Sequence, residues 1–480
     1  MAIIDELRAD SPVRRIRDLP GPRGLPMLGN ALQIQRERLH RTAEQWAREY
    51  GEVFRFRIGS REFVVVSNPE MVATMLRDRP DGFQRTDRLN AAARELGFSG
   101  LFSANGEEWK RQRPMVLRGL DPAHIKAFHP TLVKVTQRFE RRWRNAAGAG
   151  RAIDLQSDLM RYTVDVTAGL AFGTDINTVE SDDEIIQKHL DKLLPALFKR
   201  VLSPLPHWLW VRRRADPALG EHLRALRSAV DGFIAGARLR LADQPQLRER
   251  PGNLIEAMVA ERDRPGSALT DEDVSGNVLT MLLAGEDTTA NTLAWMIWLL
   301  HCHPEVAQRA AEEVRSMVGE GSHPTHEQLG QLDFVEACVH ETMRLKPVAP
   351  IIIQQVVRDT VVGGLALPAG TPVMCLMRPA AVDAAHFPDP QAFRPERWLA
   401  GDGPARAAGS AKRVAMPFGA GPRTCPGRYL ALSEMKMVAA MLLGAFEIAD
   451  VSTADGTEVQ ERLALTMSPV GLKLRLRVRK

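Results

Sequence analysis

The stretch FGAGPRTCPG places Cys425, one of only four cysteines in the chain, among three glycines, two prolines and an arginine. Apolar residues recur at helical spacing after it, and Pro426 suits the first position of a helix. Cys425 is therefore expected at a helix start, where backbone N–H groups and the positive helix end favour a thiolate. Three glycines would let a bulky partner approach the backbone closely: Gly419, Gly421 and Gly427.

A thiolate in such a loop could be a nucleophile, a zinc ligand or a haem ligand. Zinc needs companion ligands, and the HCH run at 301–303 cannot turn three consecutive side chains toward one metal. A cysteine nucleophile needs a partner histidine, and nothing in the sequence singles out one of the 12 histidines. Haem fits the large apolar helix described next, and we favour it while the other two readings stay open.

The stretch from 269 to 305 predicts a long buried helix that contains a polar segment. Thr270 is a suitable N-cap, three acids follow it, and Pro304 marks the end. Some 30 helical residues span about 45 Å. The middle reads AGEDTT, whose charged and polar residues exclude a membrane span. The small pair Ala284-Gly285 permits close approach of a large or flat group, and Asp287 beside Thr288 suits proton delivery.

Two further arginines accompany a buried acid. In QLDFVEACVHETMRLKP, Glu341 follows the apolar stripe of Phe334 and Cys338, and Arg344 lies one turn further on. A buried carboxylate needs such a partner. FRPERW offers a second cation, Arg397, from a segment with a loop-like composition.

Composition limits the remaining choices. The chain has 480 residues with 64 basic and 59 acidic side chains, a net charge of +5 that is too small to indicate a nucleic-acid partner. Four separated cysteines indicate no disulfide framework and favour a reducing, cytoplasmic setting. The N-terminus lacks the apolar run of a signal peptide or transmembrane anchor. We expect a soluble monomer.

The periodicities predict a mainly α protein with small β-sheets near its two ends. A hairpin is expected at 53–66, further strands at 361–376, and an edge strand in the alternating C-terminal stretch 471–480. Helical patterns dominate between about 69 and 346. Nothing marks an internal boundary, so the chain is divided into an N-terminal extension, 1–18, and one large domain, 19–480.

Taken together, these motifs closely resemble those of the cytochrome P450 monooxygenases. FGAGPRTCPG matches the family's F-x-x-G-x-R-x-C-x-G, and AGEDTT matches its A-G-x-D-T-T. ETMR matches E-x-x-R, FRPERW matches the segment that follows it, and GEEWKRQR matches W-x-x-x-R. They occur in the family's order over 19–470. The resemblance implies the P450 fold, a single large domain.

The resemblance also implies roles for individual residues. Cys425 would be the iron ligand, and Asp287 and Thr288 would be the catalytic residues that handle the protons with which dioxygen is split. Glu341, Arg344 and Arg397 would form a structural charge network supporting the cysteine loop. The other cofactor-binding residues would be Phe418, Arg423, Trp109, Arg113, Gly427 and Gly285. The substrate pocket would be lined by Phe102, Met281, Ala284, Val348, Ile351, Ile352 and Met467.

One departure concerns the propionates of the haem. Many relatives carry an arginine near the strand after E-x-x-R, where this chain has Gln354 and Gln355. A third propionate anchor is therefore left unassigned by the sequence.

The implied function is insertion of one oxygen atom of O2 into a lipophilic substrate of the fatty acid, terpenoid, steroid or polyketide class. The cofactor would be haem b. NAD(P)H-derived electrons would arrive through a separate ferredoxin or flavodoxin with its reductase, docked on a basic patch of Lys110, Arg111, Arg413, Arg428 and Lys436. A lid is expected at 206–214. The alternatives are a peroxygenase or isomerase-type haem-thiolate enzyme and, from another class, a haem-based sensor or carrier. The Asp287-Thr288 pair favours the monooxygenase.

Overall fold

The computed structural model describes residues 13–181, 185–203, 217–319, 322–399, 411–453 and 455–479. Long helices make up most of this part of the chain. They are α1 Leu39–Tyr50, α2 Pro69–Arg77, α3 Asp87–Glu95, α4 Gly106–Gly119, α5 Pro122–Gly148, α6 Leu155–Phe172, α7 Ile185–Leu202, α8 Pro217–Asp243, α9 Leu254–Arg262, α10 Asp271–Cys302, α11 Pro304–Val318, α12 His326–Gln331, α13 Asp333–Leu345, α14 Arg378–Ala381 and α15 Arg428–Ala445.

The strands form small sheets at the margins of this helical body. They are β1 Val53–Ile58, β2 Arg61–Val66, β3 Phe83–Gln84, β4 Ile153–Asp154, β5 Ile351–Val356, β6 Thr360–Val362, β7 Leu365–Leu367, β8 Pro372–Leu376, β9 Phe446–Thr453, β10 Glu461–Ala464, β11 Thr466–Pro469 and β12 Leu472–Val478. The largest sheet has the order β1-β2-β8-β5-β3, so the N-terminal hairpin pairs with strands from the 351–376 region. The expected mainly α architecture with small sheets is confirmed.

Helix α10 runs through the core and carries the AGEDTT segment. Its predicted start is confirmed, because the Thr270 hydroxyl accepts from the Asp273 N–H while the Asp273 carboxylate accepts from the Thr270 N–H. Such a reciprocal cap satisfies two of the free N–H groups at the helix end. Both halves of α10 are buried, and α6 packs along it.

Two expectations about local structure were wrong. β12 is the central strand of the order β4-β12-β9, because Ile153 and Asp154 pair on its outer side. The alternating sequence could not reveal this distant partner. Helix α15 begins at Arg428 with Gly427 as its N-cap, so Pro426 lies in the turn before the helix.

Candidate functional site

The cysteine loop is held in a folded turn before α15. The Cys425 N–H donates to the Phe418 carbonyl oxygen at 3.0 Å, which closes the loop on itself. Gly419 and Gly421 have φ of 73° and 70°, values that favour glycine. A Cβ on Gly421 would lie 2.4 Å from the Leu76 carbonyl oxygen, so this glycine also lets the loop pack against the end of α2.

The Cys425 side chain is accessible within this loop. Desolvation by the surrounding protein raises the pKa of the Cys425 thiol. A hydrogen bond from the Gly427 N–H and the charges of Arg113 and Arg428 act in the opposite direction. The loop therefore supplies a cationic, N–H-donating setting, and a metal cation on the sulfur would complete the stabilisation of the thiolate.

Four arginines converge beside the cysteine loop. Arg423 reaches into the turn before α4, donating to the carbonyl oxygens of Leu101 and Ala104 at 3.2 and 2.9 Å. Its guanidinium lies 5.3 Å from the centre of the buried Trp109 ring. Arg113 donates to the Thr424 carbonyl oxygen at 2.5 Å. The sequence predicted these two arginines and Trp109.

The other two arginines, Arg79 and Arg85, were missed. Arg79 donates to the carbonyl oxygens of Leu76 and Ala420 at 2.9 and 2.8 Å, joining α2 to the cysteine loop. Arg85 donates to the Phe102 carbonyl oxygen at 3.2 Å and lies 4.6 Å from the centre of that ring. Both arginines lie close to the short strand β3, and Arg85 follows it directly. That position, which brings Arg85 toward the start of α4, is the signal that could have indicated them.

The arginine cluster carries uncompensated positive charge. Burial, followed by repulsion from Arg85, Arg79 and Arg113, lowers the pKa of Arg423. Within the described ranges, no carboxylate pairs with any of the four. Buried charges without counter-ions are unfavourable unless a ligand supplies them. A haem, with two propionate carboxylates and an iron that binds thiolate, fits this donor set.

Helix α10 opens toward accessible space at the AGEDTT segment. Ala284 is exposed and Thr288 half-buried, although Leu283 and Glu286 are buried. The Thr288 hydroxyl donates to the Ala284 carbonyl oxygen at 2.9 Å. Gly285 has a different role from the expected one. A Cβ there would lie 2.4 Å from the Thr167 hydroxyl of α6, so its missing side chain allows helix–helix contact.

Asp287 is held from two sides. Its Oδ1 accepts from the Asn291 amide at 2.9 Å, and its Oδ2 accepts from the Thr466 hydroxyl of β11 in a close contact. Burial raises the pKa of Asp287, whereas these two hydrogen bonds and the charge of Arg462 oppose that rise. An acid in this setting can hold a proton at a pH where an exposed aspartate has lost it, and can pass that proton to a neighbouring group.

The Glu341–Arg344 pair is fully buried, and the network around it is more extensive than the sequence indicated. Arg344 donates to both carboxylate oxygens of Glu341 at 2.8 and 2.7 Å, and Arg397 donates at 3.2 Å. The Trp398 ring N–H adds a bond of 2.8 Å that was not predicted. Trp398 also packs with Ala411, Val414 and Ala415, which lead into the cysteine loop. The network can therefore support that loop through Trp398.

Three of the residues expected around the substrate have other surroundings. Side chains alternate along β5, so Ile351 and Ile353 share one face while Ile352 joins the apolar cluster on the other. Met467 is fully buried, with its sulfur 3.8 Å from Arg378. Val348 is tied by its carbonyl oxygen to the Met467 N–H at 2.8 Å. Ala284 is exposed and Phe102 half-buried, whereas Met281 is buried in the hydrophobic core.

The expected basic patch is largely neutralised. Lys436 is buried and 2.7 Å from Glu336, because its position on α15 faces α13. Arg111 pairs with Asp273 at 3.2 Å, and Lys110 pairs with Glu107 at 3.0 Å. The expected lid at 206–214 lies outside the described residues. Among the described helices, none has the length and apolar character needed to cross a bilayer.

Comparisons with known proteins agree with this site. The cytochrome P450 family model matches residues 19–476. The chain is 29% identical over 435 residues to cyclooctat-9-en-7-ol 5-monooxygenase of Streptomyces melanosporofaciens, covering 90% of this chain and 89% of the relative. It is 30% identical to the mitochondrial 25-hydroxyvitamin D-1 alpha hydroxylase of Rattus norvegicus, covering 92% and 90%. Pentalenene oxygenase of Streptomyces avermitilis is 27% identical, with 95% and 97% covered.

The chain belongs to the cytochrome P450 family and is an oxidoreductase of the monooxygenase class. The family implies haem as the cofactor and use of O2. The zinc alternative finds no support in the described part of the chain, where no group of three or more His, Cys, Asp or Glu side chains could hold a metal ion.

Proposed function

We propose that the protein is a haem-thiolate monooxygenase that hydroxylates an apolar polycyclic substrate of terpenoid or steroid type. The observation that carries this proposal is the accessible Cys425 thiol beside the buried Arg79 and the half-buried Arg85, Arg113 and Arg423, none of which has an acidic partner among the described residues. Bound haem supplies the redox step, in which O2, two electrons and two protons convert a C–H bond to C–OH and release one water.

The residues of the chain bind the cofactor and move protons. Cys425 would bind the iron, and Arg113 and Arg423, together with Arg79 and Arg85, would bind the propionates. Thr288 presents its hydroxyl on the accessible side of α10, next to Asp287. Because Asp287 connects through Asn291 to Gln156, with 3.0 Å between the Gln156 amide and Asn291 Oδ1, a polar path leads from the acid into α6.

The substrate class follows from the apolar residues around the site and from the relatives. Ala284 and Met281 on α10, Ile351 and Ile353 on β5, and Leu465 at the β10–β11 turn offer no charged group to a ligand. Relatives named for cyclooctat-9-en-7-ol, pentalenene and 25-hydroxyvitamin D cover most of this chain. A carbocyclic substrate with few polar groups fits both observations.

Electrons would come from a separate ferredoxin or flavodoxin with its reductase. Arg428, half-buried beside the cysteine loop, is a basic residue that suits an acidic partner. Reduction by an acidic ferredoxin should slow as ionic strength rises, and a rate independent of salt would exclude electrostatic docking.

The function is tested first by the spectrum of the reduced carbon monoxide adduct. The wild-type protein should show the red-shifted Soret band of thiolate-bound haem, and Cys425→Ser should lose it. Cys302→Ser, at another accessible cysteine, is the matched control and should keep it. A wild-type adduct with the unshifted band would overturn the assignment of Cys425.

The reaction is tested second with ¹⁸O₂, NAD(P)H and a ferredoxin system on a panel of terpenes and steroids. A product carrying one ¹⁸O atom supports the proposal. Turnover with hydrogen peroxide but no label from O2 would instead assign a peroxygenase. Gas binding without any product across the panel would assign a sensor or carrier.

A further inference from the structure

The β10–β11 hairpin ends in a tight turn that points at α10. Ala464 pairs with Thr466, and Leu465 between them has φ of 86°, a conformation that is strained for a leucine. Residues 464–466 are half-buried, whereas Leu463 and Met467 on either side are buried. The turn therefore exposes only its tip toward the accessible side of α10.

The base of this hairpin is rigidly held. The buried Glu461 carboxylate accepts from Lys346 at 2.7 Å and from Arg378 at 2.9 and 3.0 Å. The Met467 N–H donates to the Val348 carbonyl oxygen at 2.8 Å. With β10 held at its base through Glu461 and β11 held at Met467, next to Thr466, the position of Thr466 relative to α10 is set by the fold.

Thr466 contacts Asp287 directly. Its hydroxyl donates to Oδ2, while Asn291 of α10 donates to Oδ1. Arg462, on the same hairpin, is the charged group that acts on Asp287. Both carboxylate oxygens are thus occupied, and a carboxyl group held at both oxygens cannot turn toward Thr288 without releasing one of its donors.

We propose that Thr466 is a positioning residue that fixes the orientation of the Asp287 carboxyl during proton delivery. The inference rests on the proposed function, because it assigns Asp287 to proton delivery. The hydroxyl of Thr466 is the group that acts, through its hydrogen bond to Oδ2 of Asp287.

The test compares Thr466→Val, which removes the hydroxyl at constant shape, with Thr466→Ser, which keeps it. Thr360→Val on β6 is the control for the same exchange elsewhere. The first readout is the infrared carboxyl band of Asp287, assigned by its loss in Asp287→Asn. In Thr466→Val this band should shift and titrate at higher pH, since a donor to the carboxylate is gone. Thr466→Ser should restore the wild-type band.

The second readout is coupling, the fraction of NAD(P)H electrons recovered in oxygenated product. It should fall about two- to tenfold in Thr466→Val, the range that one hydrogen bond supports, with the difference appearing as hydrogen peroxide. Thr466→Ser and Thr360→Val should couple like the wild type. Unchanged band and unchanged coupling in Thr466→Val would overturn the inference.

These outcomes separate the inference from the proposed function. A wild-type enzyme that makes no ¹⁸O-labelled product fails the function, whatever the infrared band does. An active wild type whose coupling is insensitive to both Thr288→Ala and Asp287→Asn would remove the proton role of these residues and the inference with it. If the wild type is active and coupling depends on Thr288 and Asp287, but Thr466→Val changes neither the infrared band nor the coupling, only the inference about Thr466 fails.

Discussion

At the scale of single residues, the arginines around Cys425 are the most informative feature. Arg113 and Arg423 belong to sequence motifs, and the resemblance of those motifs to the P450 family implied their roles. Arg79 and Arg85 could not, since they lie in a short stretch whose burial depends on β3 pairing with β5. Arg79 and Arg85 are candidates for the propionate anchor that the sequence left unassigned. Gln355 is instead bonded to Asp87 at 2.8 Å, and Gln354 is buried near Cys375.

Replacing Arg85 by methionine should weaken haem retention. A hydrogen bond to a charged group contributes about 1.5–3 kcal/mol, so transfer of haem to apomyoglobin should quicken about ten- to hundredfold. Arg118→Met, at an exposed position of α4, is the control. Arg85 is one of the cations that repel Arg423, so its replacement relieves that repulsion. The unfolding temperature of the haem-free chain should therefore not be lowered. A haem transfer rate equal to the control would remove Arg85 from the propionate site.

At the scale of elements, α10 and α15 are joined by a buried acid that has no cationic partner among the described residues. Glu434 of α15 is 1% exposed, and the Thr289 hydroxyl of α10 bonds to it. Burial raises the pKa of Glu434 well above its ordinary value, and the Thr289 bond offsets this only in part. The folded protein therefore keeps this carboxyl protonated where the unfolded chain has already lost the proton.

This difference predicts how stability depends on pH. A raised folded-state pKa means that stability is full below the unfolded value and falls as pH rises toward the folded value, by about 1.4 kcal/mol per pH unit. Glu434→Gln should remove that slope and be as stable as the wild type, or more so, at neutral pH. Urea unfolding between mildly acidic and neutral pH measures it, with exposed Glu447→Gln as the control. If the free energy of unfolding changes with pH equally in Glu434→Gln and Glu447→Gln, Glu434 ionises in the folded protein and the prediction is wrong.

At the scale of the whole molecule, Glu461 connects distant parts of the chain. His40 of α1 lies 3.0 Å from its carboxylate, Lys346 follows α13, and Arg378 belongs to α14. Lys346 also lies 4.7 Å from the centre of the Trp295 ring of α10. One carboxylate thus ties the N-terminal helix, the end of α13 and the C-terminal hairpin to the core. Although burial would raise its pKa, the bonds from His40 and Arg378 and the charge of Lys346 hold it far below the ordinary value.

Glu461→Gln should destabilise the protein strongly, since removing one partner leaves buried cations unpaired. We expect the free energy of unfolding at neutral pH to fall by about 3–5 kcal/mol. The depressed pKa makes this stability present above the unfolded-state value and lost as pH falls below it, so the gap between variant and wild type should narrow in acid. Exposed Glu458→Gln is the control. A gap that is absent at neutral pH would contradict the central role of Glu461.

The sequence alone determined the elements whose signals are local. The ends of helix α10 could be predicted because Thr270 and Pro304 affect only the helical turn next to them. The hairpin β1–β2 could be predicted because apolar and polar side chains alternate on both sides of Gly59. The cysteine loop, the Asp287-Thr288 pair and the Glu341-Arg344 pair were found for the same reason: each motif fits within a few residues of chain.

Only the tertiary structure decided what depends on partners distant in sequence. It placed β12 between two strands, turned Gly285 toward α6, separated Ile351 from Ile352 across a sheet, and buried Lys436 against Glu336. It also brought Thr466 to Asp287, two residues that are 179 positions apart. Spacing along the chain fixes which side chains share a face of one element, whereas packing free energy, summed over the whole core, fixes which face meets which.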